Sequence, residues 1–280
     1  MKMTQAKKKA FWQSLPATPY ILWMALFIII PLGMVVFFAL TDPQGNFTLE
    51  NIARGGEHMG VLLRSIKLAA IATALCVLIA YPLAYILSRK KGFQKQTLFI
   101  MVMLPMWMNF LLRTFAWMTI LENNGLINKF LGLFGIGPLQ MINTQGAVVL
   151  GMVYNYLPYM ILPLYTAMVK IDNSIIEAAQ DLGANDRTVF RRIVFPLSLP
   201  GVLSGITMVF IPSVSTFAIS RLLGGSKTLL LGNLIDMQFL GSAYNPHLGS
   251  AISLVMMVIV LVCMAVMNRF GEGEEGVTVL

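Results

Sequence analysis

The chain has 280 residues, of which 57% are hydrophobic and only 11% charged, and its mean hydropathy is +0.76. A soluble domain of this length carries about a quarter charged residues, so a water-soluble globule is excluded. The net charge of +8 calls for no nucleic-acid partner; membrane topology and contact with the anionic lipid bilayer explain it.

Apolar runs of about 18 residues or more cross a bilayer as helices, and six occur, at 20–40, 65–87, 97–121, 146–168, 197–220 and 248–267. The first follows Lys2, Lys7, Lys8 and Lys9. A basic start before an apolar run resembles a signal peptide, but the run is too long and "FFALTDP" offers no small-x-small cleavage site. It reads as an uncleaved first span. "NFT" at 46–48 has the form of a glycosylation acceptor, a triplet that chance supplies often. Pro31, Pro82, Pro105, Pro158, Pro163, Pro200 and Pro212 lie inside the runs. Membrane helices tolerate such prolines because neighbours satisfy the freed backbone groups. The fold class is therefore all-α, a polytopic membrane protein with six transmembrane helices.

Basic residues orient it. Arg89, Lys90, Lys91 and Lys95 fill the connection after the second span, Lys170, Arg187, Arg191 and Arg192 the one after the fourth, and Arg269 follows the sixth. The other side has fewer: Arg54, Arg64, Lys67, Lys129, Arg221 and Lys227. The positive-inside rule places both termini and the loop after the fourth span in the cytoplasm. Cys76 and Cys263 sit inside spans without metal-ligand spacing, and His58 and His247 lie far apart in outside loops. No metal site is expected. "GGSKT" at 224–228 is not a phosphate loop, because Ser226 and Arg221 stand where that motif needs glycine. No catalytic constellation is visible either, so any energy source lies in another polypeptide.

The loop "EAAQDLGANDRTVFRRIVFP" at 177–196 is the polar exception. Ser174 and Glu177 have capping-box spacing. Ile175, Ala179 and Leu182 make a short apolar stripe on the helix that follows. Gly183 suits a left-handed helix end, and Asn185 or Asp186 can cap a second helix that runs through Pro196 into the fifth span. Two short helices bent around a glycine resemble a DNA reader in outline. Tethered between two spans, they suit docking into a cleft of a soluble partner instead.

The same residues resemble the cytoplasmic motif of bacterial ABC importer permeases, EAA-x3-G-x9-I-x-L-P. Glu177, Ala178, Ala179, Gly183, Ile193 and Pro196 match it, and Phe195 replaces the leucine. "LPMWMNFLLRTFAW" (104–117), "YLPYMILPLY" (156–165) and "LLLGNLIDMQF" (229–239) are similar to segments of spermidine/putrescine permeases. The resemblance implies the ABC importer permease fold, with a cytoplasmic N-terminal segment at 1–19, a permease domain at 20–268, a cytoplasmic coupling loop at 169–196 and a cytoplasmic tail at 269–280. It implies a second homologous permease subunit, with the translocation path between the two. Two ABC ATPase subunits use ATP and magnesium, an extracytoplasmic binding protein delivers the polyamine, and this chain itself binds no cofactor and does no catalysis. Glu177, Ala178, Ala179, Asp181 and Gly183 form the coupling helix, with Glu177 facing basic residues of the ATPase cleft, capping its own helix, or both.

A polyamine is a long cation, so carboxylates and aromatic faces are its expected contacts. Glu122 ends the third span; Asp236 lies in a segment, 229–240, too short to cross, and is the candidate gate. Trp107, Tyr154, Tyr156 and Tyr159 are candidate path residues or interfacial anchors. Arg113 lies within the third span, where it would repel a polyamine; a structural ion pair with Asp236, or snorkelling to the interface, is expected. Gly201-x-x-x-Gly205 opens the fifth span with a small-residue face or by chance. Other readings are an importer permease for another small solute (an amino acid, opine, sulfate or iron) and a secondary transporter. The latter needs inverted repeats or an ion-coupling acid in mid-membrane, and none is visible.

Overall fold

A computed structural model describes residues 18–225, 228–241 and 243–271. The leading lysines, Ser226 and Lys227 of "GGSKT", and the tail beyond residue 271 lie outside the described residues. The described residues form helices joined by short connections: α1 Thr18–Ala39, α2 Glu50–Glu57, α3 Met59–Arg89, α4 Gly92–Trp107, α5 Phe110–Leu121, α6 Leu126–Gly132, α7 Gln145–Val169, α8 Asn173–Asp181, α9 Asp186–Ser215, α10 Leu231–Leu240 and α11 Pro246–Gly271. Five helices are long and apolar enough to cross a membrane, and a bent pair, 92–107 with 110–132, makes a sixth if counted as one span. The chain divides into two compact units, one of Met1–Glu57 with Met237–Met257 and one of His58–Asp236 with Val258–Leu280.

In the first unit α1 is apolar on every side. After it, Asp42 accepts backbone N–H bonds from Gln44 at 3.0 Å and Asn46 at 2.8 Å. These bonds, led by that from Asn46, hold its carboxyl below the usual range. His247 stands in the first turn of α11 rather than in a loop. Its Nδ1 lies 2.7 Å from the Thr41 carbonyl and 3.1 Å from that of Phe38, so this nitrogen carries the proton.

The second unit is built on α3, α7 and α9. α3 turns a row of small residues inward (Ser65, Ala69, Ala72, Cys76, Ala80 and Ala84, all buried) at the three- and four-residue spacing of one helix face. Small residues matter because lipid is as apolar as leucine, so membrane helices hold together by close packing rather than by expulsion of water. The glycine pair of α9 follows the same rule. A Cβ at Gly201 would lie 2.6 Å from the Ala167 Cβ and 2.8 Å from the Pro163 carbonyl; one at Gly205 would lie 2.5 Å from the Met160 sulfur. The GxxxG spacing is thus a packing face against α7.

Two expectations change. α3 begins at Met59, ahead of the expected start at 65, so Arg64 lies in the helix as Lys67 does; its 31 residues span ~46 Å, longer than the ~30 Å hydrocarbon layer. The third span is not one helix. Pro105 sits in the last turn of α4, and Asn109 caps α5 by accepting from the N–H groups of Leu111 at 2.8 Å and Leu112 at 3.3 Å. The chain turns by 89° at that point. The apolar run hid the break because Met108 and Asn109 do not interrupt its mean hydropathy.

Wide π-helical turns interrupt α1 at Ala25–Ile29 and α9 at Phe190–Val194. Each ends within two residues of a proline, Pro31 or Pro196. A proline ring crowds the carbonyl four residues back, here Phe27 and Arg192, which lie inside the wide turns. The extra residue in the turn absorbs that clash, and α9 continues unbroken through Pro196.

Gly201→Leu should therefore overpack the α7–α9 contact at backbone atoms that cannot move aside, costing about 1–3 kcal/mol or more. Thermal unfolding of the detergent-purified chain should show a lower midpoint or little folded protein. Gly132→Ala, whose Cβ meets nothing within 4 Å, should unfold like wild type.

Candidate functional site

The loop after α7 starts with an N-cap that the spacing of residues did not single out. Asp172, not Ser174, caps α8: its Oδ1 accepts from the Ser174 N–H at 3.0 Å. The capping box of Ser174 and Glu177 does not form, because α8 begins at Asn173 and Glu177 falls beyond the first turn. An aspartate caps as well as serine and adds a negative charge at the positive helix end. The backbone and then the side-chain bond from Ser174 hold the Asp172 carboxyl below its ordinary value. Glu177 is exposed and, among the described residues, makes no ion pair.

The buried side of α8 is set by what packs against it and differs from the expected stripe. Ile176 and Ala179 turn inward to pack on buried Ile171, Val189 and Val194, together with Ala184, Ile193 and Tyr85. Ile175 and Leu182, placed on the expected stripe, are 46% and 89% exposed. α8 closes on a Schellman motif: the Gly183 N–H donates to the Gln180 carbonyl at 2.8 Å and the Ala184 N–H to the Ala179 carbonyl at 3.0 Å. Gly183 has φ +84°, the left-handed region in which a Cβ is costly. Asn185 then caps α9, its Oδ1 accepting from the Thr188 N–H at 2.9 Å. Gln180 Nε2 donates to Asp186 Oδ1 at 3.2 Å, tying the two helices across the glycine.

The result is a knob with its own small core. Its outer surface carries Ile175, Glu177, Ala178, Asp181 and Leu182, an acidic and apolar face on a fixed backbone. Beside it, Asn185, Arg187, Thr188, Arg191 and Arg192 line an open basic cleft of about 510 Å³. Phe195, the departure from the leucine of the motif, approaches Tyr81 at 6.1 Å between ring centres and lines an apolar groove with Tyr85 and Phe190. Tyr81 and Ser198 share a 2.8 Å hydrogen bond across that groove.

The candidate path residues are not brought together. Tyr156 and Tyr159 are neighbours at 6.4 Å between ring centres, and the Tyr156 hydroxyl donates to the Pro212 carbonyl at 3.4 Å. Tyr154 packs instead on Trp117, edge to face at 5.4 Å. Trp107 is 79% exposed at the end of α4. Asp236 pairs with Arg221 at 3.3 Å, not with Arg113.

Arg113 neither pairs with Asp236 nor snorkels. It is buried in the first turn of α5, and its Nε and Nη1 have no partner among the described residues. Buried Asn155 and Asn233 were missed. Asn155 donates to the Gly151 carbonyl at 2.9 Å and to Thr114 Oγ1 at 3.4 Å. Asn233 meets the Ser220 hydroxyl, donates to the Phe217 carbonyl at 3.0 Å, and so holds α10 to the turn that follows α9. Ser65 of α3 accepts from the Leu231 N–H at 2.8 Å at the same place. A lone amide inside an apolar run, as in "LLLGNLIDM", was the available signal. Among the described residues no group of three His, Cys, Asp or Glu is placed to share a metal.

Known proteins carry the same pattern. Residues 77–272 match the family described as binding-protein-dependent transport system inner membrane component. The spermidine/putrescine transport system permease protein PotB of Haemophilus influenzae is 38% identical, over 88% of this chain and 90% of its own length. PotB of Escherichia coli K12 is 35% identical, over 85% and 90%. A chain of a bacterial ABC transporter involved in import of the acidic polysaccharide alginate superposes with TM-score 0.77 over 97% of this chain and 98% of that one, at 17% identity, which speaks for the fold alone.

A buried guanidinium whose Nε and Nη1 lack acceptors among the described residues, in the first turn of a helix whose dipole already disfavours a cation, should destabilise the chain. Arg113→Met should raise the thermal midpoint of the detergent-purified protein, reflecting a gain in stability of about 1–3 kcal/mol. A lower midpoint would contradict this placement.

Proposed function

The chain belongs to the family of inner membrane components of binding-protein-dependent transport systems, and from that premise we propose that it is the polyamine-conducting permease of an ATP-driven importer, driven through α8. The observation that carries the coupling half of this reading is the Gly183 knob. It combines a left-handed glycine, a Schellman closure and a small core of its own with an outer face of Glu177, Ala178, Asp181 and Leu182 that nothing in the described chain covers. A rigid projection with exposed acid and leucine suits a cleft with basic rims on a soluble ATPase. ATP and magnesium then belong to two such ATPase subunits, a second permease completes the path, and an extracytoplasmic binding protein supplies the solute.

Orientation follows from charge. Arg89 and Lys95 lie at the same end of the second unit as α8, with the Lys95 ammonium 5.6 Å from the centre of the Tyr165 ring. Together with Arg187, Arg191 and Arg192 they favour a cytosolic position for that end, and with it cytosolic termini. The alginate relative shows that this fold also serves an acidic polysaccharide importer, so the polyamine assignment rests on the two permeases named for spermidine and putrescine. Asp236 is the acid we assign to receiving the cation at the opposite end, since its Arg221 partner is 70% exposed at a long 3.3 Å and pairs open to solvent are worth only about 0–1 kcal/mol.

Reconstitution of the complete complex in proteoliposomes tests this. Spermidine or putrescine should enter only with ATP and the loaded binding protein, and Asp236→Asn should raise the apparent KM several-fold with the complex intact. Gly183→Val should assemble yet lose most of the stimulation of ATP hydrolysis by loaded binding protein, because the turn cannot hold φ +84° without strain of about 1–2 kcal/mol. Wild-type stimulation in Gly183→Val would contradict the coupling role, and uptake of sulfate or an amino acid in place of polyamine would contradict the substrate.

A further inference from the structure

α3 ends at Arg89 and α8 begins at Asn173, and the two residues meet although 84 positions separate them. Arg89 Nη1 donates to Asn173 Oδ1 at 2.5 Å, and the guanidinium carbon lies 5.4 Å from the centre of the Tyr85 ring. Tyr85 in turn meets Phe190, in the wide turn of α9, nearly perpendicular at 6.3 Å, and packs on the small core of the knob. One side chain therefore touches the last turn of a membrane-length helix, the first residue of the docking helix and, through Tyr85, the start of α9.

The chemistry suits a joint. A cation on the last residue of α3 sits at the negative end of that helix dipole. A planar guanidinium can stack on a ring and bond sideways at the same time, which an ammonium does poorly. Its Nε and Nη2 are buried and have no partner among the described residues. Among the described residues the guanidinium is therefore held by two contacts, its bond to Asn173 and its approach to the Tyr85 ring, and together they tie α8 to the end of α3.

We propose that Arg89 is a positioning residue, a strut that holds α8 against the end of α3 so that a push on the docking helix moves the long helix instead of deforming the loop. The proposal rests on the reading of α8 as the ATPase-docking helix. If Arg89 served only to neutralise the carbonyls at the end of α3, Asn173 would be dispensable.

The test is the complete complex with its binding protein in proteoliposomes, with spermidine import and ATP hydrolysis measured together. Arg89→Ala and Asn173→Ala should each lower the spermidine moved per ATP by about tenfold or more, the size expected of one lost charge-assisted hydrogen bond. The double variant should be no worse than either single one, because the same contact is lost once. A merely structural role would reduce the amount of complex and both rates in proportion, leaving the ratio unchanged; that result overturns the strut. Multiplying effects in the double variant overturn it as well. Gly183→Val measured in parallel separates the two ideas: an uncoupled Gly183→Val beside a wild-type ratio in Arg89→Ala and Asn173→Ala overturns the strut alone, whereas wild-type ratios in all three overturn the docking reading too.

Discussion

The approach of α9 to α7 at Gly201 and Gly205 governs what the rest of the second unit can do. Inside a bilayer no hydrophobic force draws two apolar helices together, so contact depends on how many atoms reach van der Waals distance. The missing side chains let α9 settle on Met160, Pro163 and Ala167, and the inward row of alanines on α3 admits both helices from the other side. Because α9 is one continuous helix from Asp186 to Ser215, its wide turn included, its docking on α7 also fixes where its first turn stands. That first turn is half of the knob. A site outside the membrane is thereby aimed by packing within it.

Prolines inside these helices perform two different jobs. Pro105, followed by Asn109, ends α4 and lets the chain turn sharply, since the asparagine gives the next helix its cap. Pro196 does not end anything, because a wide turn ahead of it takes up the steric clash. The wide turn also rotates Phe190 and Phe195 toward Tyr81 and Tyr85, which joins the root of the knob to α3. Several polar groups within the packed region are met locally: Thr73 by the Ala69 carbonyl, Ser213 by that of Val209 and the Asn155 Nδ2 by that of Gly151, although the Asn155 Oδ1 has no partner among the described residues. Arg113 stands apart from that pattern.

Much of the fold was legible because membrane insertion writes itself as runs of apolar residues, and the Glu177–Gly183–Pro196 spacing is set by backbone geometry that few sequences satisfy. Gly183 was readable as a left-handed end, and Asn185 as a cap, for the same reason. The phase of α8 was not. Asp172, Ser174 and Asn173 can all start a helix, and which of Ile175 and Ile176 is buried is decided by packing against Ile171, Val189 and Val194. The break at Asn109 was hidden by the unbroken hydropathy around it. The partners of Asp236 and Arg113 depended on tertiary placement, which charge in a linear sequence does not encode: Asp236 found Arg221, fifteen residues away on a neighbouring turn.

On the proposed coupling role the knob docks by the face that carries Leu182, and cysteine cross-linking can read that face. With Cys76 and Cys263 replaced by alanine, single cysteines at position 182 and at position 176 would be placed in the assembled complex and tested for short-range cross-links to the ATPase subunit. Leu182 is 89% exposed while Ile176 packs on the knob's own core. Cross-linking at 182 and none at 176 is the expected result. Equal cross-linking at both positions, or none at 182 in a complex that hydrolyses ATP, would contradict it.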